Sequence, residues 1–268
     1  MLYEKILFDD SDKNAYLEVF SPDKVGDFKR NALLVIPGGG YSGVCADREG
    51  EPIALAFIPF GYCSFVLHYT VKEKPFPSHL VQASKAIKYI KDNSEKYNID
   101  KDQVFAVGFS AGGHLAATLG CMWNKKEIYD EISMPYGYIK PKGVMLIYPV
   151  ISAKFHKISF DNLWHGEELT EEKKLQSSCE NAVSGESCPA FILHTSNDSV
   201  VDVRNSLTYA DALKQNGIEF EMHIYPDGPH GVALGNEITK CGNEKWCNKA
   251  IEKWISHANE WAKGIDKY

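Results

Sequence analysis

The sequence predicts an α/β fold: a mostly parallel central sheet of about eight strands, helices on both faces and a small inserted lid. Three observations lead there. Continuous apolar runs of strand length, such as Ala32-Leu33-Leu34-Val35-Ile36, suit strands buried on both faces. Helical patterns alternate with those runs, as βαβ connections require. A chain of 268 residues, 44% hydrophobic and 24% charged, has the means to build one substantial core, read here as a single domain spanning 1–268.

Taken in order, Tyr3–Phe8 and Asn14–Phe20 read as an antiparallel pair joined by the polar turn at 9–13. Ser21–Lys29 is a polar loop, and the buried strand Ala32–Ile36 ends in Pro37-Gly38-Gly39-Gly40-Tyr41. Glu51–Phe60 reads as a short helix and Tyr62–Tyr69 as another buried strand. Pro75-Phe76-Pro77 breaks the chain before an amphipathic helix from about Ser78 to Tyr97, apolar at 80, 83, 86, 87 and 90. The run Val104-Phe105-Ala106-Val107 is a strand, and an Ala-rich helix leaves it and continues to about Trp123. A Pro- and Gly-containing loop leads to the strand Gly143–Tyr148. Residues 150–188 lose periodicity and are assigned to the lid. Strand Ala190–His194, helix Arg204–Asn216 closed by Gly217, and strand Glu219–Tyr225 follow. A last helix from about Asn243 to Lys263 is predicted from Trp246, Trp254 and Trp261.

The chemistry centres on Gly108-Phe109-Ser110-Ala111-Gly112, a Gly-x-Ser-x-Gly turn between strand and helix. Such a turn thrusts its serine out at the C-terminal edge of the sheet, and the helix N-terminus behind it favours a developing oxyanion. A serine hydroxyl needs a base to take its proton and an acid to hold that base in the right tautomer. Asp198 follows four residues past the strand Ala190–His194. His230 follows five residues past the last strand and is the one histidine in a loop beyond it. Asp227 and Asp202 are rivals to Asp198, Asp202 being better suited to capping the 204–216 helix. His114 and His194 are read as packing histidines. The glycine loop Gly38-Gly39-Gly40-Tyr41-Ser42-Gly43 also fits the dinucleotide pattern Gly-x-Gly-x-x-Gly. Pro37 opens that turn, however, and the next strand closes with His68-Tyr69 and no acidic ribose hook. The loop therefore suits an oxyanion hole, with N–H donors from Gly39, Gly40 and Ala111.

Composition excludes other classes. A net charge of −7 and the lack of a basic stripe disfavour nucleic acid and anionic membranes. No run reaches membrane-spanning length, and Met1–Phe20 has no apolar secretory core, so a cytoplasmic location is expected. Seven cysteines at 45, 63, 121, 179, 188, 241 and 247 form no Cys-x-x-Cys pair. Free thiols are expected, with Cys179/Cys188 and Cys241/Cys247 the local pairs open to an exported chain. His-Glu-x-x-His is absent, so no metal site is predicted.

Along most of its length the chain resembles the α/β-hydrolase-fold serine esterases, in particular the bacterial acetyl esterase/acetylxylan-esterase-like group. The resemblance rests on Val35-Ile36-Pro37-Gly38-Gly39-Gly40-Tyr41, Arg48-Glu49-Gly50-Glu51-Pro52, Gly108–Ala116, Tyr148-Pro149-Val150, His194-Thr195-x-x-Asp198 and Gly228-Pro229-His230-Gly231. The chain departs from related patterns at Pro37, where lipases carry histidine, and at Thr70, where the group often has arginine. The resemblance implies Ser110 as nucleophile, His230 as base, Asp198 as its orienter and short acyl esters, especially acetylated xylose-type sugars, as substrates. It implies no cofactor. Tyr41 beside the glycine loop, with Trp164 and His165 in the lid, are candidate substrate contacts; Phe155 and Phe160 are further lid aromatics, and aromatics in such a segment more often simply pack. A lipase-like esterase or small peptidase would use the same triad, and a non-catalytic small-molecule binder could use the same scaffold. Self-association is left open by the sequence.

Overall fold

A computed structural model describes residues 1–10 and 12–265. Ser11, within the predicted 9–13 turn, lies outside the described residues. Eight strands form one sheet: β1 (Leu2–Ile6), β2 (Tyr16–Ser21), β3 (Arg30–Ile36), β4 (Tyr62–His68), β5 (Ile99–Phe109), β6 (Gly143–Ile147), β7 (Ala190–Thr195) and β8 (Phe220–Tyr225). Their spatial order is β1-β2-β4-β3-β5-β6-β7-β8. β2 runs antiparallel to both β1 and β4, and every pairing from β4 to β8 is parallel. The mostly parallel sheet is the one expected from the apolar runs, and its arrangement is the α/β-hydrolase fold that the resemblance implies. β3, β4, β6 and β7 are buried almost throughout, whereas edge strand β8 is only half-buried.

The helices are α1 (Ala46–Glu49), α2 (Glu51–Phe57), α3 (Ser78–Asp92), α4 (Ser94–Tyr97), α5 (Ala111–Cys121), α6 (Lys126–Glu131), α7 (Lys157–Leu163), α8 (Glu171–Ser177), α9 (Arg204–Gln215) and α10 (Trp254–Gly264). Alternation along each strand divides the core. Leu34 and Ile36 face the layer of α3, α5 and α9, while Leu33 and Val35 face that of α2 and α10. α3 presents Leu80, Ala83, Ile87 and Ile90 to the first layer, as its periodicity predicts. α10 buries Trp254, Ala258 and Trp261 in the second.

Three stretches differ from expectation. The helix predicted over 78–97 is broken at Asn93, whose side chain donates to the Tyr89 carbonyl (2.8 Å) and so closes α3. The last helix begins only at Trp254, and residues 244–246 and 251–253 form single 3₁₀ turns instead. There Asn248 accepts from the N–H groups of Ala250 and Ile251 and donates to the Asp227 carbonyl, while Arg48 stacks on the Trp246 ring at 4.1 Å. Tertiary partners thus override the helical spacing of the tryptophans. Residues 150–188, predicted without regular structure, contain α7 and α8 and lie between β6 and β7. All seven cysteines are free thiols. Among the described residues no helix is long and apolar enough to cross a membrane.

Packing is very tight where β5 passes into α5. All eleven residues of α5 are buried. A Cβ on Gly112 would stand 2.2 Å from the Ile36 carbonyl oxygen and 2.4 Å from that of Pro37, and one on Gly108 would stand 2.2 Å from the Gly112 oxygen. These contacts are with backbone and cannot yield cheaply. Gly112→Ala is therefore expected to lower stability by about 2 kcal/mol or more. Gly185→Ala, whose Cβ meets nothing within 4 Å, should stay within about 0.5 kcal/mol. Urea unfolding midpoints of the two variants check this, and equal midpoints would contradict it.

Candidate active site

Parallel register brings the ends of the strands level: Ile36 pairs with Gly108, Phe109 with Ile147 and Ile147 with Leu193. The loops leaving β3, β5, β7 and β8 therefore converge at one edge of the sheet. Ser110, Asp198 and His230 meet there. His230 Nε2 lies 2.8 Å from Ser110 Oγ, and its Nδ1 lies 2.7 Å from Asp198 Oδ2.

Ser110 takes φ 54° and ψ −119°, a strained backbone for a residue with a side chain. The strain is held by its neighbours. Its N–H donates to the Ile147 carbonyl, and its own carbonyl accepts from His114 and Val150. Asp198 is 9% exposed, and its other oxygen accepts from the N–H groups of Val200 and Val201. Burial alone would raise its pKa. Hydrogen bonds from His194 and His230, the charge of His230 and the Val201 N–H together outweigh that, and hold the carboxyl well below its usual range. An anionic Asp198 oxygen at Nδ1 requires that nitrogen to carry hydrogen, which leaves Nε2 as the acceptor facing the serine. The rivals are engaged elsewhere: Asp202 pairs with Arg204, and Asp227 accepts from Asn197. His194 donates from Nε2 to the Val201 carbonyl and accepts the Ser206 hydroxyl at Nδ1, and its Nε2 also stands 3.4 Å from Asp198. It packs behind the acid, away from the serine.

The glycine loop is pinned almost atom by atom. The carbonyls of Pro37, Gly38, Gly39 and Gly40 accept from the Tyr69 hydroxyl, Cys45 N–H, Ser42 N–H and Asn162 Nδ2 respectively. The Gly38 N–H donates to Glu49 Oε2 at 2.8 Å. Among the described residues, the N–H groups of Gly39, Gly40 and Ala111 have no protein acceptor. Gly39 and Gly40 have φ of 129° and 63°, the left-handed side that glycine tolerates best. N–H groups left without an acceptor are the kind of donor that can meet negative charge.

Two of the expected substrate contacts are buried side chains. Tyr41 is 1% exposed; its hydroxyl donates to His114 Nδ1 at 2.7 Å and its ring packs against Tyr69, His79 and His114. Trp164 is 6% exposed, donates to Ser177 Oγ and packs on Phe76. Each side chain is buried and spends its polar atom on a protein partner. His165 is exposed at the end of α7. Phe160 is buried against His114. Around these side chains lie two residues that sequence reasoning passed over. Glu49, 3% exposed, accepts the Gly38 N–H and the Tyr148 hydroxyl (2.9 Å). Burial pushes its carboxyl up, and those two donors with the charges of His230 and Arg48 pull it back. His156, at the start of α7, has a buried Nδ1 without a partner and feels the charges of His230 and Asp198. The signal for Glu49 was present in the Arg48-Glu49-Gly50-Glu51-Pro52 stretch, but no spacing rule says that its carboxylate turns inward.

The BD-FAE family model matches residues 17–213. Endo-1,4-beta-xylanase B of Butyrivibrio fibrisolvens is 38% identical over 218 residues, covering 79% of this chain and 34% of that protein. The acetylxylan esterase of Xylanibacter ruminicola is 30% identical over 231 residues, covering 84% of this chain and 45% of its own. The chain thus spans between a third and a half of these curated relatives. The crystal structure of an acetyl ester-xyloside bifunctional hydrolase from Caldicellulosiruptor lactoaceticus superposes with a TM-score of 0.79 at 33% identity, covering 94% of this chain and 88% of that one.

The packing beneath the loop has a measurable pH signature. Burial pushes His79 and His114 down to about 4 from the ordinary 6.5, with the neighbouring histidines adding to the effect at His79. Groups held neutral in the folded state bind protons on unfolding between about pH 4 and 6.5, so stability rises with pH through that window and falls on acidification. Each histidine accounts for on the order of 3 kcal/mol across the full window. The Nδ1 of His79 has no hydrogen-bond partner, so His79→Leu removes this titration without breaking a bond. Urea midpoints between pH 7 and 4.5 should fall less steeply in His79→Leu than in the wild type, and identical slopes would contradict the assignment.

Proposed function

The chain belongs to the BD-FAE family, and on that premise we propose that it is a serine carboxylesterase that hydrolyses short acyl esters, foremost acetyl esters of xylose-type sugars or oligosaccharides. The observation that carries the proposal is the unbroken contact from Ser110 Oγ through His230 to Asp198, beside N–H groups that have no protein acceptor.

In this reading His230 Nε2 takes the proton as Ser110 Oγ attacks the ester carbonyl. The charge that develops on the carbonyl oxygen is met by the N–H groups of Gly39, Gly40 and Ala111. Asp198 stays ionised and stabilises the imidazolium. His230 then gives its proton to the departing alcohol, leaving an acyl-serine. A water deprotonated by the same nitrogen attacks that intermediate and releases the acid, restoring Ser110. No step calls on a cofactor. The preference for acetylated sugars is supported by the names of the relatives, an acetylxylan esterase and an acetyl ester-xyloside hydrolase among them. The fold and the triad alone would serve other leaving groups equally well.

Turnover of p-nitrophenyl acetate is expected in the wild type and should fall by about 10⁴ or more in Ser110→Ala. Asp198→Asn should lose about 10⁴ in kcat because it stabilises the wrong tautomer of His230. Acetate release from acetylated xylobiose should exceed cleavage of p-nitrophenyl butyrate and of a peptide amide in kcat/KM. A reversed order would move the substrate class to lipase-like esters or peptides, and binding without any turnover would point to a binding protein.

A further inference from the structure

The two loops that carry the oxyanion donors and the base are far apart in sequence, yet a short stretch of chain joins them. α1 places Glu49 beneath Gly38 and Arg48 beside Gly231. Glu49 Oε2 accepts the Gly38 N–H, and Glu49 Oε1 accepts the Tyr148 hydroxyl. That hydroxyl in turn accepts the Ala233 N–H at 3.0 Å, three residues beyond His230. The Tyr148 ring packs edge-on to the His230 ring, with centroids 5.0 Å apart. Arg48 reaches the same loop from its other side, donating to the Gly231 carbonyl at 2.7 Å while its guanidinium lies over Trp246.

We infer that Glu49 is a positioning residue for the reaction, setting the oxyanion loop through Gly38 and the base loop through Tyr148 so that the two halves of the site hold one mutual geometry. The inference rests on the esterase reading above. Its physical reason is the fit of one carboxylate to two donors. Of the N–H groups of Gly38, Gly39 and Gly40, that of Gly38 is the one with a protein acceptor among the described residues. Once it is fixed, the following two N–H groups have little freedom, because every carbonyl from Pro37 to Gly40 is also held. Space enforces the arrangement, since a Cβ on Gly38 would stand 2.9 Å from Glu49 Oε2 and 3.0 Å from the Ser110 Cβ. Both carboxylate oxygens accept a hydrogen bond from a single partner each. A glutamine of the same shape has only one acceptor oxygen and no charge: with that oxygen on the Gly38 N–H, the Tyr148 hydroxyl must turn to accept from the amide and gives up the charge-assisted bond it donates, so the hold on the base loop weakens.

The test is the pair Glu49→Gln and Tyr148→Phe, assayed with p-nitrophenyl acetate and with a trifluoromethyl ketone that mimics the tetrahedral intermediate. Loss of a whole oxyanion donor costs about 10²–10³ in kcat. A displaced but present donor should therefore cost about 10–100-fold in kcat for Glu49→Gln, with KM within about threefold and the ketone inhibition constant raised in step with the fall in kcat. Tyr148→Phe keeps the ring against His230 and should lose about tenfold in kcat. The double variant should lose less than the product of the two, because they break one chain. Unchanged kcat, a rise confined to KM, or a fall in kcat with undiminished ketone affinity would each overturn the proposal. If Glu49→Gln does not fold, Tyr148→Phe carries the same three readings. If the wild type shows no Ser110-dependent ester turnover, the esterase reading fails separately. The positioning role is then read from the rate at which a fluorophosphonate labels Ser110, which Glu49→Gln should slow about tenfold or more and which an equal rate would refute.

Discussion

Everything at this site depends on how closely three pieces of backbone approach one another: the end of β3, the end of β5 and the first turn of α5. Gly108 and Gly112 let strand and helix touch, and Gly112 also lets the Pro37 carbonyl come against the helix. Remove that approach and the glycine loop lifts away from the serine, whatever side chains surround it. Hydrophobic burial supplies the driving force of the fold, but it is nondirectional and could not place an N–H group to a fraction of an ångström. Backbone contact without intervening Cβ atoms does place it, and the fully buried α5 keeps the contact from relaxing.

Two buried carboxylates act on the same few atoms with different chemistry. Asp198 is held ionised by histidine hydrogen bonds and backbone N–H groups, and so fixes a tautomer. Glu49 meets a neutral amide and a phenol, and burial presses its pKa the opposite way. Both side chains are nearly inaccessible, and burial raises both; the partners of Asp198 overcome that and those of Glu49 do not. Around them the polar groups are arranged so that carbonyls of the glycine loop are used up and its outward N–H groups are not. Hydrogen-bond accounting of this kind separates a turn that merely closes from one that presents donors.

Much of this was legible in the sequence. Buried strands announced themselves by unbroken apolar runs, and the order of Ser110, Asp198 and His230 followed from which strand each one trails. That these three side chains would meet was readable because backbone topology, and not side-chain packing, brings them together. What escaped was set by tertiary partners. Asn93 ends a helix that the periodicity would continue, and Trp246 leaves a helical spacing because Arg48 covers its ring. Tyr41 and Trp164 looked available because aromatics near a lid can stack on sugars, yet each uses its polar tip internally. Glu49 could not be found by pattern, since a carboxylate after an arginine on a four-residue helix reads as surface until the fold shows which way it turns.

The contacts that complete the site span long stretches of chain: 99 positions from Glu49 to Tyr148, 120 from Ser110 to His230 and 183 from Arg48 to Gly231. A chain emerging from the ribosome therefore presents Ser110 and Glu49 well before Tyr148 and His230 exist. Only when β8 has docked against β7 does the histidine loop arrive. Contacts of such long range belong to a late stage of folding, so the meeting of the three side chains is deferred until most of the sheet is in place.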